Sequence, residues 1–360
     1  MRPLRVLDFG SLSAIRSQAV YHGVAAAMRM DDAPVLSLAS PYEPYVCVGV
    51  HQNIEQEVDE AYCEAQGLPI VRRHIGGGAV YLDEHQLFFH FIYPEQQGLP
   101  MAQELYELFI EPVVRTYRRF GVQAEMRPIN DIQVSGRKIG GTGAATIGSA
   151  IVMVGSFMFD FDAEHMSRCL RVPSEKFRDK LYDSLSQYIT SFRRELGTAP
   201  DREEVKAAFL QEVEASLGVT PTPSQPTPQE TKAIADWERR LRDPEWNYRR
   251  GRRFVPGRIK ISADTHIVES SHKAAGGLLR ARLLVHGGRI AELELSGDFT
   301  CLPESGVERL ADALIGTPLA VDSLRRRLSS VLGDLQLDMP GVTEDDLLAL
   351  LQSAAAKPYA

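Results

Sequence analysis

Residues 218–230, GVTPTPSQPTPQE, set four prolines among small polar residues. Each proline removes a backbone donor and fixes φ, so neither a helix nor a central strand is expected to run through the stretch. It reads as a linker. The expected organisation is a larger domain over 1–217, the proline-rich linker over 218–230 and a smaller domain over 231–360.

Both parts mix helical and strand patterns, which makes the fold class α+β. In the larger part, RSQAVYHGVAAAMRM has the spacing of an amphipathic helix and PYVCVGV that of an apolar strand. IEQEVDEAYCEAQG fits one helix closed by Gly67, and LPIVRR a strand. SGRKIGG has hairpin-turn chemistry, AIVMVGSFMFDFD is apolar over strand length, and helical patterns run from AEHMSRCL to REEVKAAFLQEVEASLG, stopped at Gly218. The smaller part reads as three strands, GRIKISADTHI, LLRARLLVHGG and RIAELELSGDF, the last two joined through His-Gly-Gly. Helices ESGVERLADALIG and AVDSLRRRLSSVL follow, and Thr343 with Asp346 forms a variant capping box for a last helix.

A hydrophobic fraction of 44% with 24% charged residues describes an ordinary globular chain, and a net charge of −8 argues against a nucleic-acid surface. The four cysteines, Cys47, Cys63, Cys169 and Cys301, have no paired spacing, so reduced thiols and a cytoplasmic location are expected. Charge interrupts the N-terminal stretch before any apolar run reaches signal or membrane-span length, so no membrane association is expected.

Two constellations point to chemistry. In VRRHIGGGAVYLD, Gly76, Gly77 and Gly78 follow Arg72 and Arg73. Bare backbone beside cationic side chains suits a phosphate or a mixed anhydride, although a glycine run by itself is a turn or bulge. Adjacent strand residues face opposite ways, so only one arginine turns toward a ligand, and Arg73 is nearer the loop. The pattern is neither G-x-G-x-x-G nor a P-loop. In RPINDIQVSGRKIGGTGAA, Asn130 and Asp131 set an amide beside a carboxylate, suited to a ribose, to a Mg²⁺ ion holding phosphates, or simply to an Asx turn. Lys138, between the turn and two further glycines, is a point charge able to draw two anionic reactants together, or a surface lysine.

VCVGVHQNIEQEVDEAYCEAQGLPIVRRHIGGGAVYLD, NDIQVSGRKIGGTGAA and VGSFMFDFD occur in the order and spacing of the lipoate-protein ligase A family, and the chain resembles it over most of its length. PEWNY at 244–248 and GDF at 297–299 resemble that family's C-terminal accessory domain. The resemblance implies a biotin/lipoate ligase-like mixed sheet flanked by helices, with a small α+β accessory domain. It implies ATP and Mg²⁺ as cofactors, lipoic or octanoic acid as substrate, and a lipoyl domain or H-protein-like carrier as acceptor. Lys138 is then catalytic. Arg73, Gly76, Gly77, Gly78, Ala79, Tyr81, Asn130 and Gly155 bind the acyl-adenylate, and Asp131 the metal. An apolar acyl tunnel is expected from residues such as Val71, Val80, Val152 and Phe157, and the accessory domain is expected to swing between the two half-reactions.

Three positions depart from the family pattern: Ile75 replaces a serine, and Leu82 and Val154 replace histidines. His74 and His85 lie close enough in sequence to compensate. Two other readings stay open: a cysteine-dependent octanoyl- or lipoyl-amidotransferase forming a thioester on Cys169, and a non-catalytic binder of lipoylated proteins.

Overall fold

A computed structural model describes residues 2–95, 102–128, 130–249, 258–260, 264–303 and 305–355. The chain runs β1 (Arg2–Leu12), α1 (Ala14–Ala27), β2 (Val35–Pro41), β3 (Tyr45–Val48), α2 (Ile54–Glu57), α3 (Glu60–Ala65), β4 (Ile70–Arg72), β5 (Val80–Leu82), β6 (Gln86–Pro94) and α4 (Ala102–Arg119). It continues with β7 (Glu125–Arg127), β8 (Asp131–Val134), β9 (Arg137–Ile147), β10 (Ala150–Met158), α5 (Ala163–Cys169), α6 (Glu175–Tyr188), α7 (Phe192–Leu196), α8 (Arg202–Leu217), β11 (Val219–Pro223), α9 (Pro228–Arg242) and α10 (Pro244–Asn247). Last come β12 (Arg258–Lys260), β13 (Thr265–Ala274), β14 (Gly277–His286), β15 (Arg289–Gly297), α11 (Gly306–Ala313), α12 (Val321–Leu335) and α13 (Glu344–Ala355).

These elements gather into two compact units. The first comprises 1–47, 58–73 and 80–247; the second comprises 48–57, 74–79 and 248–360. The division differs from the one expected at 218–230. That segment is not a linker: Val219–Pro223 is strand β11, paired in parallel with β1 at the edge of an eight-stranded sheet. Prolines 221 and 223 stand at alternate positions of an edge strand, where every second N–H points away from the neighbour and its loss costs no ladder bond. Pro228 then opens α9 at its first turn, behind a capping box in which Thr227 and Glu230 satisfy each other's backbone donors. PEWN, matched from sequence to the accessory domain, lies in the first unit as α10.

The first unit is built on a mixed sheet of order β11-β1-β2-β6-β10-β9-β8-β7, with a small β4-β3-β5 sheet beside it. One core is aromatic: Phe157 meets Phe89 at 5.6 Å and Phe209 at 5.0 Å, and Tyr117 stacks near Phe192 at 4.7 Å. Helix α1 is buried on nearly every side rather than amphipathic, because α9 crosses it closely. A Cβ at Gly23 would stand 2.4 Å from the backbone of Ile234. The single helix expected over 54–66 is two, since Val58 bridges to Leu170 and Asp59 turns to cap α3.

Buried His90 places its Nδ1 2.7 Å from Ser37 Oγ and stacks on Tyr21 at 4.5 Å. Burial pushes its pKa down to about 3, a hydrogen bond with the Ser37 backbone opposing this only partly. An unfolded histidine titrates near 6.5, so below that pH the unfolded chain takes up a proton that the fold refuses. Stability should fall as pH drops from about 6.5 toward 3, by up to about 1.4 kcal/mol per pH unit. His90→Gln is expected to be less stable at pH 7 yet to lose less between pH 6.5 and 4, read as urea midpoints. An unaltered pH slope would remove His90 as the cause.

The second unit carries a four-stranded antiparallel sheet, β12-β13-β14-β15, covered by α11, α12 and α13. The His-Gly-Gly turn is as expected, with Gly287 and Gly288 both at positive φ. Asp346 accepts from the Thr343 backbone and hydroxyl at the start of α13, the capping box expected there.

Candidate functional site

Lys138 owes its place to a two-residue turn. Ser135 and Gly136 both have positive φ, 50° and 79°, which is what a tight hairpin between right-twisted strands requires. The register then slips: Gln133 faces Lys138, whereas Ile132 faces Gly140 and Asp131 faces Gly141. One extra residue in β9 reverses the alternation, so Lys138, Gly141, Asp131 and Gln133 share one face of the sheet. A Cβ at Gly141 would be 3.0 Å from Lys138 Nζ and 3.1 Å from its Cε. The lysine stem lies over bare backbone. Its ammonium meets Asp131 Oδ1 at 2.7 Å, both side chains being partly exposed.

Asn130 braces the same corner. Its amide donates to the Thr142 carbonyl, and Thr142 returns two 3.0 Å bonds, from N–H and Oγ1, to the Asn130 carbonyl. Thr142 pairs with Gly155 on β10, where a Cβ would strike Phe89 at 2.4 Å. Gly155 is thus required by packing. Tyr188, at the end of α6, donates to Asp131 Oδ2 at 3.4 Å and accepts from Gln133 at 3.0 Å. Tyr188 and Thr142 were not singled out from sequence; Tyr188 lies some fifty residues on, and no local pattern marks it.

The two arginines part as the strand alternation requires. Arg72 is wholly buried, its Nε donating to the Asn247 carbonyl at 2.7 Å while its own carbonyl accepts from Trp246 Nε1 at 2.8 Å. Arg73 is only partly buried and reaches the Cys47 carbonyl at 3.2 Å. Tyr81 stacks on His165 at 5.7 Å and lines a cavity of about 740 Å³ with Asp83, His85, Asp162 and Thr190. Of the residues expected to line an acyl tunnel, Phe157, Val152 and Val71 are packed shut in the core.

Within the second unit the glycine triplet is spoken for by protein. Gly77 N–H donates to the Phe299 carbonyl at 3.2 Å, and a Cβ at Gly76 would stand 2.5 Å from that same oxygen. Gly49 presses on Gly77, leaving 2.0 Å between its missing Cβ and the Gly77 carbonyl. Val50 N–H bonds to the Ile75 carbonyl at 3.1 Å, Gly297 N–H to the His51 carbonyl at 2.9 Å, and the His51 ring stacks on Phe299 at 5.1 Å. Glu57 pairs with Arg280 of β14. Bare backbone at Gly76 and Gly49 therefore has a packing cause, independent of any ligand. Gly78 is roomier, its nearest neighbour being Asp298 at 3.8 Å, and Ala79 closes the segment.

Cys169 is 1% exposed, and the hydrogen bond joining it to Cys63, together with burial, pushes its thiol far above the usual range. The same bond draws Cys63 down. Cys47 is raised by burial, with Arg73 opposing. Among the described residues no three His, Cys, Asp or Glu side chains converge as a metal site, and no helix is long and apolar enough to cross a membrane. A divalent ion at Asp131 would take most of its ligands from phosphate and water.

This architecture is shared by a solved structure, that of P. falciparum LipL1 in complex with lipoate, at a TM-score of 0.70 and 15% identity over 98% of both chains. Residues 16–214 match the lipoyl protein ligase A/B catalytic domain, and residues 265–351 the bacterial lipoate protein ligase C-terminus. The chain belongs to the lipoyl protein ligase A/B family. Its relatives include the lipoate-protein ligase LplJ of Bacillus subtilis, 27% identical over 86% of this chain and 88% of that one. Another is the octanoyltransferase LipM of Kyrpidia tusciae, 27% identical over 69% of this chain and the whole of the other.

Proposed function

We propose that this chain is an ATP-dependent lipoate-protein ligase of the cytoplasm. It would condense lipoate or octanoate with ATP to an acyl-adenylate and pyrophosphate, then pass the acyl group to a lysine ε-amine of a lipoyl domain or H-protein-like carrier. The observation that carries this reading is the ammonium of Lys138, held over Gly141 on the same sheet face as Asp131. A carboxylate attacking an α-phosphate brings two anions together, and a cation fixed beside them stabilises the charge that grows between them. Asp131 holds that cation before substrate arrives. Asn130 and Asp131 would then serve the nucleotide and its Mg²⁺, which supplies further charge neutralisation at the phosphates. Arg73, Tyr81 and Gly155 are proposed to bind the acyl-adenylate, and the same role is proposed for Gly76, Gly77, Gly78 and Ala79.

The transferase reading needs a thiolate, and a thiolate needs a depressed pKa and access. Cys169 has neither. The match of residues 265–351 to a ligase C-terminus also favours the ligase, since 69% of this chain spans the whole of the LipM relative. Val154 and Leu82, where the family has histidines, leave Lys138, Asn130 and Asp131 in place, which argues against a non-catalytic binder.

The test is AMP release from ATP and Mg²⁺ with and without lipoate. AMP should accumulate only with lipoate, and Cys169→Ser, once shown to be folded, should keep a rate within about twofold of the wild type, since no step of a ligase passes through a cysteine thiolate. Hydroxylamine-labile acyl groups on Cys169 with no AMP would replace the ligase by the transferase.

A further inference from the structure

The strand that carries Lys138 is tied down at three consecutive residues, two through backbone carbonyls and one through a side chain. The Ile139 carbonyl accepts from Tyr117 Oη at 3.1 Å, and the Lys138 carbonyl accepts from Thr190 N–H at 2.8 Å. Arg137 Nη2 donates to both oxygens of Glu195, at 2.8 and 3.1 Å. Thr190 Oγ1 also donates to Glu195. One carboxylate thus joins the residue before Lys138 to the residue that grips the Lys138 carbonyl. Glu195 is itself fixed: its N–H bonds to the Ser191 carbonyl at 3.0 Å, and Phe192 sits fully buried against Tyr117. Its side chain is only 14% exposed, so the ion pair is shielded from water more than a surface pair.

We infer that Glu195 is the positioning residue for Lys138, a clasp that fixes where the ammonium points without touching substrate. The inference rests on the ligase reading above for its catalytic consequence, though not for its structural one. Lys138 is the second residue of β9 after the turn and stands immediately before the bulge, where an unclasped strand leaves a side chain free to re-aim. Binding of ATP and lipoate involves many other groups, whereas alignment of the ammonium with the reacting oxygens matters in the transition state. A displacement of about 1 Å there costs on the order of a hundredfold in rate.

The experiment uses the full chain and two readouts. In lipoate-dependent AMP formation, Glu195→Gln should lower kcat at least about tenfold, with KM for ATP and for lipoate within about twofold, the pattern of an interaction realised in the transition state. Thr190→Val should fall in the same way, and Thr190→Ser, which restores the hydroxyl, should recover most of the rate. Independently of turnover, limited acetylation followed by mass spectrometry should show Lys138 labelled at least about threefold faster in Glu195→Gln, with Lys206 as internal standard. Lys206 is held apart from this site by Asp8 and Glu203. A raised KM with kcat unchanged, or unchanged Lys138 labelling in a folded Glu195→Gln protein, would overturn the clasp. Failure of the wild type to form AMP would overturn the ligase reading, and the labelling would still decide the clasp.

Discussion

Lys138→Ala is expected to lower lipoate-dependent AMP formation at least about a hundredfold, the loss typical of removing one preorganised electrostatic group. At 4 Å and an effective dielectric of about 20, a unit charge attracts a phosphate oxygen by roughly 4 kcal/mol before desolvation is subtracted. Partial exposure of the ammonium reduces this attraction. Stability should hardly change, because the lysine stem packs on one glycine and its ion pair is open to water. Both Lys138→Ala and Lys138→Met leave Asp131 with its Tyr188 contact but no cation, and the methionine keeps the stem volume that alanine removes. A rate within threefold of the wild type in both variants would exclude Lys138 from the chemistry.

Gly76→Ala is expected to destabilise the ligand-free protein by about 1–3 kcal/mol, the cost of overpacking against atoms that cannot move aside. The new methyl would meet the Phe299 carbonyl at 2.5 Å and the Thr300 Cα at 3.0 Å, both backbone. Urea unfolding without lipoate or ATP measures this directly. The result separates two explanations of the glycine triplet. If stability is unchanged and only lipoate affinity falls, the glycines are there for ligand alone; if stability falls without ligand, they also seat the Gly297–Phe299 strand end.

Much of this was legible in the chain. The Ser135–Gly136 turn, the His-Gly-Gly turn, the Thr343 cap and the α+β order follow from local rules, and those are properties of a few neighbouring residues. The Thr227–Glu230 capping box and Pro228 were also visible as residues, yet prolines counted together outweighed their positions one by one. A threonine-proline alternation can serve an edge strand as well as a linker, because both leave alternate N–H groups unused. The site divides the same way. Lys138, Asn130 and Asp131 stand within nine residues and declare themselves, whereas Tyr188, Thr190 and Glu195 reach them only through the return of α6 and α7. A register slip in β9 has no sequence signature beyond its glycines. Strand hydrophobicity alone cannot tell a closed core from a lined cavity, and Phe157 sits in the closed aromatic core.

The chain passes between its two units at 47/48, 57/58, 73/74, 79/80 and 247/248. On the ribosome, the segments 48–57 and 74–79 emerge long before β14 and β15, the strands that receive them. Domains ordinarily fold as they are synthesised, N-terminal first. Here Gly76, Gly77 and His51 must wait, unsupported, until Gly297 and Phe299 have left the exit tunnel. The second unit is completed only after residues 248–360 have followed the first, and a product truncated before β15 would carry its glycine loop without the strand end that shapes it.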